Sequence, residues 1–117
     1  DTISQRFASL TIGNLAVTQA NHTSLFDTGA VAALLPLVSS SDIETKRCLS
    51  FAFANLVANH TNHRSCEKLG VPRALVTLLS ASTEKDNYDF DTALQACLAM
   101  RHLAVSARSR AQFIEAQ

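Results

Sequence analysis

The chain has 117 residues, with ten basic and ten acidic side chains and a formal net charge of zero. Its length and 47% hydrophobic content suit one domain with its own core, while the balanced charge excludes the electrostatic footprint of a general nucleic-acid binder. It contains neither an apolar run long enough to span a membrane nor the basic, apolar and small-residue pattern of a signal peptide.

Period-3.6 patterning runs through most of the sequence, and strand-like alternation is scarce, so the chain reads as all-α. Residues 2–17 form a long helix behind Asp1. Residues around 20–28 form a short one ended by Gly29, whose missing Cβ suits a left-handed C-terminal position. Residues around 31–39 form a second short helix, with Val31, Leu34, Leu35 and Val38 on its apolar face. Pro36 lies about five residues into it and is expected to bend it or weaken a hydrogen bond. Residues around 43–58 form a third, longer helix with Asp42 as N-cap.

From there the chain repeats. A step of 41 carries Asp1 onto Asp42, Asn14 onto Asn55, Leu15 onto Leu56, Gly29 onto Gly70 and Leu34 onto Leu75. "NHTSLFDTG" (21–29) overlays "NHRSCEKLG" (62–70), and "GAVAALLPLVS" (29–39) overlays "GVPRALVTLLS" (70–80). Pro72 falls near a helix start, where no N–H is needed. A step of 47 then carries Asp42 onto Asp89 and Leu56 onto Leu103. The six additional residues fall in the polar stretch "SASTEKDNYD" (80–89), read as an enlarged surface loop at 81–88. The expected organisation is a third helix (1–17), one three-helix unit (18–58), a second with the long loop (59–105) and a further first helix (106–117). Such a chain starts and stops within a unit. It looks like a piece of a longer repeat array, and its ends are expected to expose apolar surface that packs on another copy or destabilises the chain.

These residues resemble the armadillo repeat family, whose units of about forty-two residues hold three helices each. The pattern N-x-x-x-I-x-x-x-G-x-I-x-x-L-V-x-L-L-x-S, then D, then a helix ending L-x-N-L-A, is met by Asn21, Leu25, Gly29, Val31, Leu34, Leu35, Leu37, Val38, Asp42, Phe53, Asn55 and Leu56. The next unit meets it with Asn62, Cys66, Gly70, Leu75, Val76, Leu78, Leu79, Asp89, Met100 and Leu103. The resemblance covers essentially the whole chain and implies a right-handed α-solenoid of about two to two-and-a-half repeats. It also implies a non-catalytic, intracellular, cytoplasmic scaffold that binds a protein or extended peptide in a concave groove. Third helices line that groove, and the Asn of L-x-N-L bonds the partner's backbone; Asn14 and Asn55 match, and His102 stands in the third copy. Leu10, Phe51 and Leu98 occupy the positions where importin-α-like adaptors carry Trp, which disfavours a nuclear-import adaptor. Catenin-like grooves grip acidic partners with basic side chains, so Arg6, Arg47 and the nearby Arg101 point to an acidic or neutral peptide. "QRFASLTIGNLAV" also looks like the vacuolar and flagellar scaffold branches. The alternative to groove binding is a homo-oligomer through exposed repeat ends.

No catalytic residue, cofactor or metal is expected. "HTNHRSC" sets His60, His63 and Cys66 at three-residue steps, but starts at an interhelical turn and has Leu25 where the first unit would need the thiol. Cys97 and His102 share a helix but point apart, being about 500° of rotation from each other. No phosphate loop or nucleophile elbow occurs. The three cysteines lack CxxC spacing and read as small buried hydrophobes of a reducing compartment. The two "NHT" sequences, 21–23 and 59–61, are read as incidental to glycosylation.

Overall fold

The computed structural model describes residues 1–116. Among them there are helices and no strand: α1 (Thr2–Ala16), α2 (His22–Asp27), α3 (Ala30–Leu34), α4 (Ile43–Val57), α5 (His63–Leu69), α6 (Val71–Ser82), α7 (Phe90–Leu103) and α8 (Ala107–Glu115). Three tight 3₁₀ turns, Gln19–Asn21, Leu35–Ser39 and His60–Asn62, join them.

The three longest helices start in the same way. The Asp42 carboxylate accepts hydrogen bonds from the Thr45 backbone N–H at 3.0 Å and from the Thr45 hydroxyl at 2.7 Å. Asp89 accepts the same pair from Thr92, at 3.2 and 2.5 Å. Asp1 caps α1 through the Ile3 N–H at 3.0 Å and the Ser4 hydroxyl at 3.2 Å. A carboxylate there satisfies orphan amides and complements the positive end of the helix dipole.

Gly29 and Gly70 separate the short helices at φ +82° and +87°, a left-handed conformation that costs any L side chain free energy. The two units differ after these glycines. In the first, Pro36 removes an amide, α3 ends at Leu34 and the chain tightens into the 3₁₀ turn Leu35–Ser39. In the second, Thr77 stands at the equivalent position, its hydroxyl bonds back to the Arg73 carbonyl, and α6 runs unbroken for twelve residues. The polar stretch read as a loop from 81 to 88 is therefore helical through Ser82. The remainder is folded back by a bond from the Asp89 N–H to the Ser82 carbonyl at 2.8 Å.

α1, α4 and α7 lie side by side, and α6 packs against both α4 and α7. The molecule is 19 Å across its narrowest axis, the depth of two helix layers. α1 turns Ser9, Gly13 and Ala16 inward, and the helix carrying Phe51 comes close enough that a methyl group on Gly13 would stand 3.1 Å from the Phe51 ring. The core runs along one face of α4, where Thr45, Leu49, Ala52, Phe53 and Leu56 are fully buried, and continues into Val31, Leu34, Val71, Leu75, Leu78 and Leu103.

Both outer helices leave apolar side chains in solvent. Ile3, Phe7, Leu10, Leu15 and Val17 are exposed at the α1 end; Tyr88, Phe90, Leu94 and Val105 are exposed at the α7 end.

Candidate functional site

The groove expected along the third helices begins at two repeated ion pairs. The Arg6 guanidinium on α1 donates both Nε and Nη2 to the Asp42 carboxylate that caps α4, each at 2.7 Å. One step along, Arg47 on α4 donates Nε and Nη2 to the Asp89 carboxylate that caps α7, at 3.0 and 2.7 Å, and Nη1 to Glu44 at 2.8 Å. The Arg6 pair, with one nitrogen on each carboxylate oxygen, is the strong two-point form of an Arg–carboxylate contact; in the Arg47 pair both short bonds converge on Asp89 Oδ1, and Nε also lies 3.2 Å from Oδ2. The Arg6 guanidinium, followed by Thr45, holds the Asp42 carboxyl well below the usual carboxylate range. Arg47 likewise lowers Asp89, in spite of partial burial. Each pair ties one long helix to the N-cap of the next.

The positive charge read from Arg6 and Arg47 is therefore not free. Two arginines meet four carboxylates here, Asp42, Glu44, Asp89 and Asp91, so this rim of the groove carries a net charge of −2. Arg6 is engaged by Asp42, and Arg47 by Asp89 and Glu44, and an arginine already held by a carboxylate offers an incoming acid less than a free one does.

A second repeated device closes the opposite ends of the long helices. His22 Nε2 lies 2.7 Å from the Ala16 carbonyl, and His63 Nε2 lies 2.7 Å from the Val57 carbonyl. A carbonyl only accepts, so each imidazole carries its proton on Nε2. In the third copy Arg110 Nη1 donates to the Ala104 carbonyl at 2.8 Å. Beside each histidine, Asn21 and Asn62 donate Nδ2–H to the Leu15 and Leu56 carbonyls, at 3.0 and 2.9 Å. The buried Asn62 amide also reaches His22 Nδ1 at 2.8 Å, which joins the two clamps. Ser109, in the third copy, leaves its buried hydroxyl without a hydrogen-bond partner. The clamps answer the question of "HTNHRSC": His63 holds a helix end, Cys66 is in the core and His60 is exposed. Of the three cysteines read as buried, the structure buries only Cys66, leaves Cys48 half-buried and exposes Cys97. Burial, followed by Glu67, pushes the Cys66 thiol up to about 12.

Between these two sets of contacts lies the solvent-facing strip of α1, α4 and α7. Leu10 and Asn14 are exposed on α1; Phe51 and Asn55 are half-buried on α4; Leu98 and His102 are half-buried on α7, with Arg101 exposed beside them. Asn55 Nδ2 donates to the Phe51 carbonyl of its own helix at 3.1 Å, a local bond that does not engage the amide oxygen. Arg6 and Leu10 come together with Ile3, Phe7, Glu44 and Cys48 around an apolar cavity of about 370 Å³; Leu98 and His102 are not part of its lining. Ile3, Phe7 and Cys48 were missed in the sequence, although Ile3, Phe7 and Leu10 have the spacing of one helix face. Burial, then Glu44 and Asp42, raises the Cys48 thiol, as expected beside carboxylates.

Such a surface can hold an apolar side chain, contact a backbone through amides and attract a cation. Among the described residues no helix is long and apolar enough to cross a membrane. No protein-family model matches the chain, and no curated protein matches it.

Proposed function

We propose that the chain folds as an armadillo-type, right-handed α-solenoid and serves as a non-catalytic, intracellular scaffold that binds an extended peptide along α1, α4 and α7. The observation that carries this reading is the repetition of contacts rather than of residue types alone. An Arg-to-N-cap ion pair recurs at two steps, and a side chain on the C-terminal carbonyl of the long helix recurs at three. Units joined by like seams present their outer faces at a regular spacing, and a row of regularly spaced faces suits a partner that is itself extended. Leu10 and Phe51 would anchor side chains, Asn14 and Asn55 would hold backbone, and His102 and Leu98 would close the row.

The test is selection of random twelve-residue peptides by the immobilised domain. Enriched peptides are expected to bind the Asn14→Ala/Asn55→Ala variant more weakly, with its helicity unchanged, since Asn14 is exposed and Asn55 bonds only within its own helix. Unchanged affinity would remove the asparagine ladder from the proposal.

A second reading, assembly through the outer helices, is favoured by the exposed Phe90, Leu94 and Tyr88 at the α7 end. One feature weighs against head-to-tail stacking: Leu94 stands where the repeat places Arg6 and Arg47, so a copy seated there would leave its Asp1 without an arginine. Sedimentation velocity across a hundredfold range of concentration separates the two readings; a monomer throughout rejects assembly.

A further inference from the structure

We propose that the groove takes an extended segment whose large apolar side chain enters the α1–α4 cavity and whose lysine or arginine, two or three residues away, lies over Glu44 and Asp91. This rests on the groove reading above and names the chemistry of its ligand.

The apolar half of the recognition comes from the cavity lining. Ile3, Phe7 and Leu10 project from successive turns of α1, and Phe7 and Ile3 are about 60% exposed although both are large. Cys48 supplies the α4 wall, and only Arg6 and Glu44 add charge at the rim. A space of about 370 Å³ exceeds one side chain and lies within the range of small-ligand sites.

The cationic half comes from the carboxylates. Arg6 is spent on Asp42, and Arg47 is shared among Asp89, Glu44 and Asp91, the last at 3.9 Å. Asp42 and Asp89 are withdrawn beneath the arginines, whereas the Glu44 and Asp91 side chains are mostly exposed. The surplus negative charge therefore sits on the two carboxylates a ligand can reach. Burial first, then the nearby Glu44 and Asp42 carboxylates, raises the Cys48 thiol on the cavity wall.

The spacing follows from geometry. Packed helices lie about 8–10 Å apart, and an extended chain advances about 3.3 Å per residue. A peptide crossing from the α1–α4 cavity toward Asp91 on α7 thus covers one helix spacing in two or three residues.

The experiment uses the peptides enriched from the random library, their Lys→Glu counterparts and the Glu44→Gln/Asp91→Asn variant, read by fluorescence anisotropy. Enriched sequences should pair a bulky apolar residue with a basic one at that spacing. Each lost carboxylate should weaken binding about fivefold, the worth of one exposed charge contact, and raised salt should do the same. The unpaired thiols locate the site: bound peptide should slow alkylation of Cys48 and leave that of the exposed Cys97 unchanged. Enrichment of acidic or uncharged peptides that bind the double variant equally well overturns the charge inference and leaves the groove reading standing. Binding without protection of Cys48 overturns the placement in the cavity. If no peptide is enriched, both the groove and its ligand chemistry are wrong.

Discussion

α1 and α4 share a register yet differ in depth. Ser4, Ala8, Thr11, Ile12 and Leu15 on α1 correspond to Thr45, Leu49, Ala52, Phe53 and Leu56 on α4. All five α4 residues are fully buried, while Leu15 is 44% exposed and Ser4, Ala8 and Thr11 lie in solvent. The difference lies in what covers them: the α4 face meets the turn Leu35–Ser39 and α6. Burial here is thus a property of the neighbour and not of the helix sequence, as expected when helical stability comes chiefly from packing an amphipathic face.

The comparison breaks most sharply at its apolar positions. Leu56→Ala is expected to cost about 2–5 kcal/mol, the range for a buried leucine, whereas Leu15→Ala should cost under about 1 kcal/mol. Urea titrations followed by circular dichroism check this, and equal losses would mean that the α1 face is covered in solution. The clamps come next. Asn62→Ala strips hydrogen bonds from the Leu56 carbonyl and from His22 together and should cost about 2 kcal/mol; Asn21→Ala loses one, for about 1 kcal/mol. Gly70→Ala should cost about 1–2 kcal/mol through backbone strain alone, since no atom lies within 4 Å of the added methyl.

The seams respond to acid. Asp42 and Asp89 have folded pKa values below their unfolded ones. Their contribution is therefore complete above about pH 5, where an unfolded aspartate is almost fully ionised, and is lost as pH falls through the unfolded and then the lower folded value. Thermal melts of the Arg6→Gln/Arg47→Gln variant should depend less on pH below 4 than those of the parent. The smallest effect is expected at Asn55, where alanine should change stability by under about 0.5 kcal/mol.

Much of this was legible before any coordinates. Three aspartates at matching steps gave the N-caps, two glycines gave the left-handed corners, and Pro36 marked the place where α3 tightens into a 3₁₀ turn. These are local signals, written within four or five residues of their effect. The ion pairs were not found, because Arg6 and Asp42 are 36 residues apart and Arg47 and Asp89 are 42. A trace was present in "DTISQR" and "DIETKR", which repeat an aspartate and an arginine at one spacing. Reading the arginine as a contact to the next unit's aspartate requires knowing that neighbouring long helices lie side by side. The same holds for Asn62 and His63. Their recurrence beside Asn21 and His22 was visible, but their target, a helix end six residues back, is a feature of the fold. Asn14 and Asn55 are the reverse case: the sequence singles them out, and neither is used to hold the chain together.

Gly13 has a mechanical meaning. The register that holds glycine on α1 holds Ala54 on α4 and Arg101 on α7, so side-chain volume grows from one end of the molecule to the other. Where the ring of Phe51 rests against bare backbone, two rods can close to their shortest separation. A single methyl group at that point would have to move either the ring or the whole of α1.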